Sequence, residues 1–268
     1  MRIVTIAAAA ALAASPAAVL ASGRTPAPSY NLTTTTYSQN FDTLASSGVS
    51  QSLPAGFQIV EAGTATASNG SYTANNGSSN TGDTYSYGTT GSGERALGSL
   101  TSGTNSPIYF GGVFTNGLAG TIESLAFSYD GEQWRAGNST NDGLAFQYSL
   151  NATQVDNGTW TSIASLTFAP LIFSQGGSTL NGNLAANRAT LNGGALGLSI
   201  GAGETFGFRW LNTDSTGTDH GLAADNFSLT ATLAPVAGVP EPSAWALLIL
   251  GFGLVGGALR SRRRLAVA

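Results

Sequence analysis

Apolar and polar residues alternate along the middle of this chain with a period of two. Leu144, Phe146, Tyr148 and Leu150 share one face, with Ala145, Gln147 and Ser149 opposite. Leu125, Phe127 and Tyr129 repeat the pattern, as do Phe206, Phe208 and Trp210, and then Phe227, Leu229, Ala231 and Leu233. Side chains of a strand point alternately to its two faces, so each run reads as a half-buried strand. Turn residues punctuate the runs at Asp130-Gly131, Asn141-Asp142-Gly143, Asp156-Asn157-Gly158 and Asn192-Gly193-Gly194. No stretch of the body has helical periodicity with capping residues. Many short strands without helices between them predict an all-β domain over residues 37–233, a jelly-roll-like antiparallel β-sandwich. Trp160 and Trp210 have strand parity and are expected in its core. Residues 68–92, polar and rich in tyrosine, read as a long surface loop or as irregular strands.

The two ends follow a different rule. Arg2 precedes an uncharged, alanine-rich run from Ile3 to Leu20, and Val19 and Ala21 are small. Residues 1–21 are therefore expected to be a signal peptide, and residues 22–36, with Pro26 and Pro28, a linker. Near the C-terminus, a linker over 234–242 ends in Val239-Pro240-Glu241-Pro242. An apolar run follows to Leu259, then Arg260, Arg262, Arg263 and Arg264. The apolar run spans about 24 Å as a helix, short of the roughly 30 Å bilayer core. It predicts a marginal transmembrane helix over 243–259 with Trp245 at the interface, and a basic cytoplasmic tail over 260–268. The bulk of the chain is then exported.

Composition narrows the chemistry. The chain has no cysteine and no lysine, so it lacks disulfides, thiol nucleophiles and Schiff bases. Between Ser22 and Val239, five arginines face thirteen carboxylates, a charge that argues against nucleic acid as a partner. Arg95, Arg135, Arg188 and Arg209 are expected to pair across strands with acids such as Glu94, Glu132, Asp142 or Glu204. The single histidine, His220, excludes a multi-histidine metal site and leaves only a weak basis for a Ser-His-Asp set. The expectation is a non-catalytic domain; an exported polysaccharide-acting hydrolase, with two carboxylates across a cleft, is the alternative. Trp134 follows a turn signal and has two readings, a core side chain or an exposed platform for a sugar ring. Tyr72, Tyr85 and Tyr87 belong to the same carbohydrate reading.

The tail residues Val239, Pro240, Glu241, Pro242, Trp245 and Ala246, followed by the arginines, resemble the PEP-CTERM sorting signal in its PEPxxWA variant. The resemblance implies an exosortase-like membrane protease as partner and a link to exopolysaccharide. It also implies the cell envelope, surface or extracellular matrix of a Gram-negative bacterium as location. Four stretches of the body, Ser92 to Gly98, Gly131 to Arg135, Ala185 to Arg188 and Gly221 to Phe227, resemble exported bacterial β-sandwich domains of lectin-like type. In such domains the first and last strands often pair. Here the first carries Asn40-Phe41-Asp42 and the last Asp225-Asn226-Phe227. If these strands are neighbours, Asp42 and Asp225 are placed to share a structural Ca2+; the alternative is two strand-end acids solvated separately.

Overall fold

The computed structural model describes Arg24, residues 28–235 and residues 242–265. The chain divides into two compact units, one ending at Thr232 and the other beginning at Leu233. Fifteen strands make up the first: β1 (Tyr30–Leu32), β2 (Thr36–Gln39), β3 (Val49–Ser50), β4 (Phe57–Glu61), β5 (Tyr72–Asn75), β6 (Asp83–Tyr87), β7 (Ala96–Leu100), β8 (Ile108–Asn116), β9 (Ile122–Ala136), β10 (Ala145–Ser149), β11 (Thr161–Ser162), β12 (Ser178–Thr179), β13 (Arg188–Ile200), β14 (Thr205–Asn212) and β15 (Gly221–Leu233). One sheet runs β1-β8-β14-β10-β11, with β4 also on β8. The other runs β12-β9-β15-β7-β6-β5-β3, with β13 also on β9 and β2 also on β15. Two pairs are parallel, which the alternation did not foretell: β1 with β8 and β5 with β6.

The two sheets form a β-sandwich closed by aromatic rings. Phe208 of β14 stacks on Phe227 of β15 with centroids 4.5 Å apart, and Phe127 of β9 meets Phe146 of β10 at 5.0 Å. Trp210, fully buried as its parity predicts, packs edge-on against Tyr129 at 5.3 Å. Burial of each such ring contributes about 1.5–3 kcal/mol, and tilted or edge-to-face geometry adds to it.

Several expectations are revised. The linker assigned to 22–36 contains β1, and Arg24 bridges to Val60. Residues 68–92 hold β5 and β6, and their tyrosines Tyr72, Tyr85 and Tyr87 are buried, so none is a surface contact. Asp130-Gly131 and Asn192-Gly193-Gly194 are not turns; they lie inside β9 and β13 and pair with each other's strand. Glycine is needed there for proximity. A Cβ on Gly131 would lie 2.4 Å from the Phe168 ring, and one on Gly193 would lie 2.5 Å from the Ser165 hydroxyl. Trp160 is half-exposed rather than core and lies against the Arg209 guanidinium, 4.1 Å from its ring centroid.

The second unit contains helix α1 (Pro242–Leu265). It begins one residue before the expected start and continues past Leu259 through the basic residues. A proline suits a first helical turn, where its missing N–H has no partner to lose. Trp245 and Arg260 are exposed. No helix among the described residues is long and apolar enough to cross a membrane, so the transmembrane segment expected at 243–259 is a helix that does not meet that measure. The signal peptide expected at 1–21, and Val239, Pro240 and Glu241, lie outside the described residues.

Candidate functional site

β15 changes partner in mid-strand. Leu222 to Ala224 pair with β7, and Phe227 to Thr230 pair with β2. The two residues between, Asp225 and Asn226, face the gap where β2 has ended and β7 has not begun. Asn226 adopts φ 48° and Phe41, just past β2, adopts φ 57°. Left-handed backbone at non-glycine residues is uncommon, and both instances flank this gap. Into it come Asn40 and Asp42 from the end of β2, and Glu94 from the approach to β7. Glu132 comes from the neighbouring β9.

Carboxylate oxygens of Glu94, Glu132 and Asp225 lie within 4.8 Å of one another. Glu132 is fully buried and Asp225 is 3% exposed. They line or adjoin an open hollow whose walls are Asn40, Asp42, Glu94, Asn183, Arg188, Asp225 and Asn226. Partners hold one side of each ligand. Trp134 donates its indole N–H to Glu132 Oε2 at 2.9 Å, Asn183 donates its amide to Glu94 Oε2, and the Arg95 backbone N–H reaches Asp42 Oδ1 at 3.1 Å. Asn40 donates to Asp42 Oδ2 at 2.6 Å. The other side is left over: Glu132 Oε1, Asp225 Oδ1 and Asn183 Oδ1 are buried with no hydrogen-bond partner. Arg188 lies 4.0 Å from Glu132 Oε1 and supplies positive charge there.

Burial, with the charge of neighbouring acids, pushes Glu132 and Asp225 up. The Glu132 carboxyl is raised to about 8 by burial, opposed by the Trp134 hydrogen bond and assisted by Asp225 and Glu94. Asp225 is raised to about 7 by burial, with Glu94, Asp42 and Asp130 adding to the rise. Buried, unpaired oxygens that converge are costly without a cation to satisfy them. Oxygen ligands within 4.8 Å of one another fit around one hard cation that binds oxygens at about 2.3–2.6 Å. The donor set therefore suits Ca2+.

Asn40 to Asp42 are not on the first strand, which is β1; they follow the end of β2. β2 and β15 are neighbours, and both acids line the hollow. The carboxylates grouped with Asp225 within 4.8 Å are Glu94 and Glu132, which were expected to have arginine partners. Trp134 is fully buried, not a platform. Its parity points it away from the inter-sheet core, as a platform requires, but the segment containing Gly182 covers its indole. A Cβ there would sit 2.4 Å from Nε1. Trp134 packs with Tyr85, Tyr87, Ala96, Leu100 and Ala223, and its ring is parallel to Tyr87 at 5.9 Å.

The arginine pairings also differ from expectation. Among the described residues, only Arg188 and Arg24 have a carboxylate within 4.0 Å, Arg24 with Asp156. Arg209 is held by Gln147, by the Val155 carbonyl and between the rings of Tyr109 and Trp160. His220 is occupied on both nitrogens. Nδ1 accepts from Gly137 N–H at 2.9 Å and faces the Gln133 amide at 2.8 Å, and Nε2 donates to the Ser139 carbonyl at 3.0 Å. No serine hydroxyl reaches the ring among the described residues.

Residues 238–264 match the PEP-CTERM protein-sorting motif. The motif marks an exported protein. No curated protein is similar in sequence to this chain. Among solved structures, TmCBM61 in complex with β-1,4-galactotriose is 11% identical, with a TM-score of 0.28, over 53% of this chain and 74% of its own. The CBM22-1 xylan-binding domain of Paenibacillus barcinonensis Xyn10C is 13% identical, with a TM-score of 0.31, over 74% of this chain and 95% of its own. An isomalto-dextranase of Arthrobacter globiformis T6 complexed with panose is 12% identical, with a TM-score of 0.30, over 76% of this chain and 33% of its own.

Proposed function

We propose that this is an exported cell-surface or extracellular-matrix protein of a Gram-negative envelope. Its tail is processed by an exosortase-like membrane protease, and its non-catalytic β-sandwich binds exopolysaccharide and carries a structural Ca2+. The observation that carries the reading is the PEP-CTERM motif at 238–264 behind a β-sandwich. Helix α1 with its arginines holds the chain at the membrane until the chain is cut near Pro240-Glu241-Pro242. Glu94, Glu132, Asp225 and Asp42 would hold the cation, with the Asn183 side chain completing the oxygen set. The ion would neutralise the acids and fasten β2, β7, β9 and β15 together, a role suited to an exported chain with no cysteine. The hollow has no aromatic wall. That distinguishes it from the aromatic-lined carboxylate groove a polysaccharide hydrolase would offer.

Intact-mass analysis of envelope and secreted fractions tests the sorting half. The mature chain is expected to lack Trp245 to Ala268. A mature chain that retains them makes the tail a plain anchor and overturns the processing claim.

A further inference from the structure

Arg95 has no carboxylate within 4.0 Å among the described residues, although the body carries many more acids than arginines. It is 1% exposed. Its Nε donates to Ser86 Oγ at 2.8 Å and its Nη2 to the Ser86 and Asn75 carbonyls. Nη1 lies against Gly88, where a Cβ would be 2.2 Å away, so only glycine leaves room for the guanidinium. A second arginine stands behind the same segment. Arg135 Nη1 reaches the carbonyls of Gly77 at 3.3 Å and Ser78 at 3.4 Å, while its buried Nε has no hydrogen-bond partner. Arg135 also has no carboxylate within 4.0 Å among the described residues. Two desolvated cations thus converge on Asn75 to Ser78; the Glu94 charge acts on Arg95, but no carboxylate lies within 4.0 Å of either guanidinium among the described residues, which is costly unless an anion completes the arrangement.

Beside them is a hollow of about 250 Å³, lined by Arg95, Ser46, Asn75, Asn76, Ser78 and Thr90. That is room for one sugar ring. Amides and hydroxyls dominate its wall and offer donors and acceptors to ring hydroxyls; with Nε and Nη2 held by Ser86 and Asn75, Nη1 is the guanidinium nitrogen left to a carboxylate, as a single charge-assisted donor. Resting on the exopolysaccharide reading above, we infer that this hollow binds a uronate unit of an acidic polysaccharide, with Arg95 opposite the sugar carboxylate. The inferred site adjoins the cation site through the chain itself, because Glu94 precedes Arg95 and the Arg95 backbone N–H is held by Asp42.

Calorimetric titration of the full-length protein with a galacturonate trisaccharide, and with the neutral galactose trisaccharide, tests the inference. The acidic oligomer is expected to bind at least tenfold more tightly; equal binding, or tighter binding of inorganic sulfate, overturns it. Arg95→Gln is expected to abolish uronate binding. Because Arg95 is buried, Thr90→Glu on the exposed rim is the companion variant, placing a carboxylate over the guanidinium. It is expected to keep the wild-type melting temperature and lose uronate binding; undiminished binding overturns the inference. Co-sedimentation with the cell's own exopolysaccharide separates the two claims. If wild type and Thr90→Glu are retained equally, the hollow is not the site and the exopolysaccharide reading survives. If wild type binds the uronate oligomer but is not retained, the hollow stands and that reading falls.

Discussion

Trp134 donates its indole N–H to Glu132 Oε2 at 2.9 Å, so one hydrogen bond joins a fully buried aromatic cluster to the carboxylate group behind β2 and β7. The tryptophan orients the acid, and the acid satisfies the only polar atom of the tryptophan. Trp134→Ala is expected to cost about 3–5 kcal/mol, the range for a large buried aromatic, and to release Glu132 from its orientation. Trp134→Phe keeps most of the apolar volume and removes the hydrogen bond. Thermal melts should place Phe between wild type and Ala. If Trp134→Ala leaves the midpoint unchanged, the side chain is not the buried anchor described.

Gly182 makes the complementary prediction from the other side of the indole. A Cβ there would sit 2.4 Å from Trp134 Nε1, so Gly182→Ala must displace the ring or its covering segment. The expected loss is about 1–3 kcal/mol, as for other overpacked sites, with a change in tryptophan fluorescence. A wild-type emission spectrum and melt would contradict the close cover.

Asp83 makes stability fall with rising pH. Burial first, and then the Glu61 charge, raises its carboxyl from 3.8 to about 7. Thr73 and the Thr84 backbone N–H hydrogen-bond to it. Between about pH 4 and pH 7 the folded chain holds a proton that the unfolded chain has released. The unfolded state then binds fewer protons, and stability declines as pH rises through that window. Asp83→Asn is expected to flatten this decline in melts taken from pH 4 to pH 8. An equally steep decline in the variant would assign the effect to other acids.

Much of the fold was legible because strand parity is a local property. Phe206, Phe208 and Trp210 alternate as they must to reach the inter-sheet core, and Phe227 and Leu229 do the same. The neighbouring of β2 and β15, and with it Asp42 and Asp225 on one hollow, was also within reach. Glycine misled where distant elements approach closely. Gly131 and Gly193 look like turn residues, yet they make room for Phe168 and for Ser165 inside long strands. Trp134 misled because its cover arrives from the segment around Gly182, far along the chain. Glu94 and Glu132 were not read as neighbours of Asp225 because they reach it from elsewhere in the chain, Glu94 from the approach to β7 and Glu132 from β9. The available signal was that both lie in stretches of the body already conspicuous beside Asp225, Ser92 to Gly98 and Gly131 to Arg135.

The central claim is that Glu94, Glu132 and Asp225 hold one divalent cation. The direct measurement is a thermal melt at pH 7.5 in excess calcium and in chelator, for wild type, Asp225→Asn and Glu94→Gln. Calcium at about a hundredfold excess over its dissociation constant adds roughly 2.7 kcal/mol, a midpoint shift of roughly 5–10 °C for a domain of this size. The account predicts that shift in wild type and its loss in both variants. A wild-type midpoint that is the same in calcium and in chelator would contradict the site.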